Sequence, residues 1–216
     1  ANARSALEEE ALQILQSDPS HPAQVWLLRM LELTGSKNSV SVIASYLNSS
    51  DGQLRDCARR ALVANPASEA TAVLYQAMLR SSEAEKRAYI DGFAFRGDGR
   101  AAKAIVPLLK SDDADTVVQA ANALIVLGED TVYSEVKAAH ASAPEGSRAA
   151  IELAILATGA DASTCMALIS SSANVGVAEA AFVALVQQDP AAASRVLQGA
   201  LDEAPSPLRS AMLGTA

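Results

Sequence analysis

The sequence predicts an all-α solenoid of about six and a half helix-hairpin repeats, on three observations. Residues that stop helices recur at a fixed step: Gly35, Pro66, Gly97, Gly128 and Gly159 follow one another at 31 residues, and Asp189 comes after a further 30. A large apolar residue stands four positions before each stop, as Leu31, Leu62, Phe93, Leu124, Ile155 and Leu185. The position before each of these is small in all but the first repeat, reading Met30, Ala61, Gly92, Ala123, Ala154 and Ala184. Such self-similarity is the signature of stacked units, each burying its apolar face on its neighbours.

The stretch from Arg100 to Gly128 shows one unit most clearly. Ile105, Val106, Leu108 and Leu109 make the apolar side of a first helix, and Ser111-Asp112-Asp113 is a polar link whose oxygens can cap the next. A second helix is expected to start near Asp113 with Val117, Ala120, Ala121, Leu124 and Leu127 on one face, and Gly128 ends it by accepting a left-handed backbone. Along the chain the repeats are 3–35, 36–66, 67–97, 98–128, 129–159, 160–189 and a partial 190–216. First helices are anchored by Leu12, Ile43, Leu74, Ile105, Val136, Ala167 and Leu197. Trp26 is expected to fill the open end of the first unit, with a ligand-stacking role as the alternative. The sixth unit, one residue short, should carry a local distortion near Ser170-Ser171-Ser172. The last second helix, from Pro207, is cut at Ala216 while still presenting Leu208 and Met212, so the chain is expected to be part of a longer protein.

The segments ARRALVANP, AAKAIVPLLKSDDADTVVQAANALIVLG and SRAAIELAILATG resemble HEAT-type repeats of the short bacterial kind, similar to those of phycobilin-lyase-related proteins. The resemblance covers nearly the whole chain. It implies a right-handed α-α superhelix of the armadillo-like kind, with second helices lining the concave side. It says little about activity, because one scaffold hosts adaptors, scaffolds and a few enzymes. The family usually places Arg early in the second helix, and the aligned residues are Gln24, Arg55, Lys86, Val117, Arg148, Ala178 and Arg209. Each basic residue there is expected to bond the preceding repeat's link or acidic cap.

No catalytic constellation is evident. His21 and His140 are the only histidines and fall in different repeats; with no metal-ligand spacing around them, neither a metal site nor another cofactor is expected. His140 is read as a tolerated residue at a helix end. Cys57 and Cys165, more than three units apart, are expected to be buried thiols. Glu8-Glu9-Glu10 and Asp112-Asp113-Asp115 are accounted for by solvation and capping. No apolar run is long enough to span a bilayer, so no membrane insertion is expected.

Net charge is −8, unevenly spread, with eight basic against seven acidic residues between 51 and 100 and six against thirteen beyond. An acidic chain poor in aromatics lacks the basic stripe that nucleic acid requires. Positions seven and six before each stop are expected to face the groove, pairing Leu28 with Arg29, Arg59 with Arg60, Ile90 with Asp91, Ala121 with Asn122, Glu152 with Leu153 and Phe182 with Val183. The candidate binding residues are Arg29, Arg59, Arg60 and Arg87 at a cationic end and Leu153, Phe182 and Val183 at an apolar end. The expected function is a non-catalytic protein-interaction or scaffold module that takes, along its concave surface, an acidic or amphipathic segment of a partner protein or peptide, or a neighbouring domain of its own chain. A structural spacer is the alternative, and a nucleic-acid-binding or lyase-like role ranks last.

Overall fold

The computed structural model describes residues 3–202, which form thirteen α-helices and, among the described residues, no strand. By their contacts they fall into two compact units, the chain dividing between Ala104 and Ile105.

The first unit holds α1 (Ala3–Gln16), α2 (His21–Thr34), α3 (Val40–Tyr46), α4 (Gly52–Ala64), α5 (Ser68–Met78), α6 (Glu83–Arg96) and most of α7 (Arg100–Ile105). The even helices stack, α2 on α4 and α4 on α6, and the odd helices do the same, α1 on α3 and α3 on α5. The residues four before each stop, Leu31, Leu62 and Phe93, are wholly buried. Gly92 shows why the neighbouring position is small: a Cβ there would sit 2.6 Å from Cγ2 of Val63 on α4. Ala61 is likewise buried, whereas Met30 in the first repeat is half-buried.

The second unit begins with a 3-10 stretch, Val106–Lys110, followed by α8 (Ala114–Leu127), α9 (Tyr133–His140), α10 (Glu145–Ala157), α11 (Ala162–Ser171), α12 (Val175–Gln188) and α13 (Pro190–Asp202). The first helix expected over residues 100–110 is thus half α and half 3-10. Pro107 explains the change, since its ring clashes with the carbonyl four residues back and it offers no N–H. Here α8 packs on α10 and α10 on α12, around buried Leu124, Ile155 and Leu185. Ala123 and Ala154 are buried, and Ala184 is half-buried.

Helix starts follow the expected chemistry. Asp51 and Asp113 cap α4 and α8 by accepting from the amides of Leu54 and Thr116 at 2.9 and 3.1 Å, and Asn174 caps α12 at 3.2 Å. Gly97 and Gly128 close α6 and α8 with left-handed backbone, φ 60° and 59°. Gly35 differs. Its φ is −57°, and glycine is needed there because a Cβ would meet the Leu31 carbonyl oxygen at 2.6 Å.

Three further expectations are corrected. Trp26 does not fill a gap: its side chain lies 63% exposed on α2. Ala167 is exposed and Leu168 buried, so the anchor of α11 is one residue later than the repeat step implies, and the shortening of that unit is taken up in the link before α12. Glu8 is buried rather than solvated, accepting from the amide and hydroxyl of Ser36 at 2.6 and 2.8 Å. Burial acts to raise its carboxyl pKa, but the hydrogen bonds from Ser36 and Ser39 outweigh it and hold the group below the ordinary carboxylate value. Cys57 and Cys165 are free and buried, as expected. The second helix expected from Pro207 lies outside the described residues.

Candidate binding surface

An α-helix turns 100° per residue, so positions three or four apart share a face. The position seven before each stop lies three before the buried large residue, and it follows that residue inward. Leu28, Ile90 and Ala121 are wholly buried and Glu152 nearly so; these four belong to the core and not to a groove. The position six before the stop points out. Arg29, Arg60, Asp91, Asn122 and Val183 are exposed and Leu153 is half-buried, while Arg59 and Phe182, at the position seven before their stops, are half-buried rather than in the core.

The same geometry reveals a row that the sequence reading missed. Positions four residues beyond the outward one, two before each stop, are Leu33, Ala64 and Phe95 in the first unit, and Leu33 and Phe95 are 76% and 80% exposed. Their 31-residue spacing was the available signal. On α2, Trp26, Arg29 and Leu33 form one outward ridge; on α4 it is Arg60 and Ala64, and on α6 Asp91 and Phe95. Ala64 and Phe95 line one cleft of about 360 Å³ with Arg96 and Arg100, and Trp26 and Arg29 line another with His21 and Gln53. In the second unit α8, α10 and α12 present Val126, Leu153, Val183 and Val186, a face without formal charge at those positions.

The candidate arginines are not equivalent. Arg60 reaches from α4 to α2, its Nη2 3.1 Å from Oε2 of Glu32. Arg59 pairs with Asp56 and donates through Nη1 to the Ala88 carbonyl of α6 at 3.1 Å, so its guanidinium is turned toward α6. Arg87 is half-buried and already engaged within the chain. Arg29 is exposed and takes no hydrogen bond or ion pair from the described residues.

The expected early-helix ladder also differs in detail. Arg55 donates to the carbonyls of Ser49 and Ser50, which belong to its own link rather than the preceding one. Several bonds spanning about 30 residues lie instead where second helices end. Asn65 donates to the Ser36 carbonyl at 2.8 Å, Arg96 to Asn65 at 2.6 Å, and Gln188 to Ala160 at 2.8 Å. Thr71 reaches Asp98 at 2.7 Å across 27 residues.

His140 proves to be more than a tolerated helix end. Its Nε2 lies 3.0 Å from Oε1 of the buried Glu152, whose other oxygen accepts from Ser172 at 2.7 Å. Such a buried carboxylate needs both partners. Among the described residues no group of three or more His, Cys, Asp and Glu could hold a metal ion, and no helix is long and apolar enough to cross a membrane.

Set against known proteins, the chain matches no protein-family model and no curated sequence.

Proposed function

We propose that the chain is a HEAT-like repeat module, a right-handed α-α superhelix, that binds a partner protein without catalysing a reaction. The surface used is the outward ridge of α2, α4 and α6, and the partner is an acidic amphipathic segment. The observation that carries this reading is the recurrence of solvent-facing Leu33 and Phe95 in one register of stacked helices, with Trp26 and Arg29, which has no hydrogen-bond or ion-pair partner among the described residues, beside Leu33 on α2. Exposed aromatics next to arginine are the residue types that dominate binding energy at protein interfaces. An acidic segment would pair its carboxylates with Arg29 and exchange with Glu32 for Arg60, while its apolar side covers Leu33 and Phe95. The stacking of even on even and odd on odd helices supports the repeat reading, since it is the packing that a helix-hairpin array requires.

The internal pairing of Arg59 and Arg60 favours the spacer as a second reading, because those charges serve the fold whether or not anything binds. Titration with three synthetic peptides separates the two. Trp26 is the only tryptophan and reports directly. The expected result is a blue shift of its emission with a Glu/Leu amphipathic peptide, weakening as salt rises, and none with Lys/Leu or scrambled polar peptides. Arg29→Glu/Arg60→Glu should abolish the response. Equal responses to all three, or none to any, would leave the spacer.

A further inference from the structure

A further cleft in the first unit, about 340 Å³ in volume, is lined by residues of the links α3–α4 and α5–α6 and of the helices beside them. Three guanidiniums and two carboxylates line it: Arg55, Arg59, Arg80, Asp56 and Glu85. We propose that this cleft binds a carboxylate carried on a short apolar body.

Two of the arginines are held in place by backbone. Arg55 donates Nη1 to the carbonyls of Ser49 and Ser50 at 2.9 and 3.0 Å, which leaves its Nη2 3.6 Å from Glu85. Glu85 is itself occupied by the amide and hydroxyl of Ser82 at 3.1 and 2.9 Å. Arg59 is fixed by the Ala88 carbonyl and by Asp56. Guanidiniums already ordered by the fold lose little freedom when an anion arrives, which is how a site gains affinity without new contacts. Arg80 is the third, exposed at the mouth, with no hydrogen bond or ion pair to any described residue.

The charge balance selects the ligand. Asp56 matches Arg59 and Glu85 faces Arg55, so one positive charge, that of Arg80, is left over. That suits a monoanion; a phosphate dianion would meet two carboxylates at the same wall. A carboxylate also matches the planar fork of a guanidinium. Leu47, Ala77 and Ala88 supply an apolar wall, which the largely buried Tyr89 completes. The carboxylate could belong to a free small acid or to the C-terminus of a polypeptide, and both present the same group.

This site is separate from the outward ridge, and its test does not depend on that reading. Isothermal titration compares N-acetyl-leucine, N-acetyl-leucinamide, inorganic phosphate and a peptide ending in a free leucine carboxylate. Saturable binding of the free acid or of the peptide is expected, with the amide about tenfold weaker or worse and phosphate weaker still. Arg80→Ala, which removes no hydrogen bond or ion pair to a described residue, should keep the unfolding midpoint and weaken binding about tenfold, while Lys103→Ala, at an exposed position outside the cleft, changes nothing. The proposal fails if acid and amide bind alike, if phosphate binds as tightly, if Arg80→Ala binds like the parent, or if neither carboxylate gives a saturable signal.

Discussion

Arg96 closes the end of α4 from one repeat away: its Nη1 donates to the Asn65 carbonyl at 2.6 Å across 31 residues of chain. The same nitrogen reaches the carbonyls of Leu62 and Val63 at 2.6 and 3.0 Å, and Nη2 reaches Ala67 at 3.1 Å. The last carbonyls of a helix have no partner within it, and a cation there also meets the negative end of the helix dipole. One side chain therefore satisfies the end of one hairpin and ties the next to it.

Arg96→Ala should destabilise the protein by about 3 kcal/mol, because it strips several partly buried carbonyls of their donor at once. Arg96→Lys should recover part of this, having charge without the fork. Urea unfolding midpoints measure both, and a loss below about 1 kcal/mol for the alanine variant would mean that water replaces the guanidinium freely.

Gly92→Ala should cost about 1–3 kcal/mol by overpacking, despite the better helix propensity of alanine. The clash is specific, with Cγ2 of Val63 at 2.6 Å. Val63→Ala should therefore rescue it, and a double-mutant cycle by thermal unfolding reads the coupling. Additive effects would place the strain elsewhere.

His140→Ala should cost about 1–3 kcal/mol by leaving one oxygen of buried Glu152 without a donor. His140→Ala/Glu152→Leu/Ser172→Ala should regain most of that, since an apolar replacement of a whole buried polar group is tolerated better than a broken one. Guanidinium unfolding of the two variants checks the order.

Acid sensitivity should trace in part to Asp98. The guanidinium of Arg100 and a hydrogen bond from Thr71 outweigh the opposing effect of burial and lower its carboxyl from the ordinary 3.8 to about 2. A folded pKa below the unfolded one gives stability that is fully present above about pH 4 and is lost as the pH falls toward 2. Asp98→Asn should thus be less stable than the parent at neutral pH, with the gap closing between pH 4 and 2. A gap that stays constant with pH would assign the effect to lost packing.

The residues alone determined the helical class, the 31-residue step, the buried anchors Leu31 to Leu185 and the caps at Asp51 and Asp113. These follow from local rules, since 100° per residue and a side-chain oxygen three residues before an amide act within a single helix. The direction of each exposed side chain was only partly legible. Leu28 and Ile90 look like groove residues in a repeat alignment, but they sit three positions from a core anchor and turn inward with it, while Leu33 and Phe95 turn out. Arg59 meets Asp56 within its own helix, but which arginine stays available also depended on partners that no periodicity encodes: Arg59 reaches Ala88 and Arg60 reaches Glu32 only because α4 packs against α6 and α2, while Arg29 and Arg80 meet no hydrogen-bond or ion-pair partner among the described residues. The cleft between the two links, the Arg96 closure and the His140–Glu152–Ser172 cluster likewise bring together residues 12 to 42 apart. Tertiary packing decided these contacts, because their energy depends on distances between helices that each sequence segment leaves undefined.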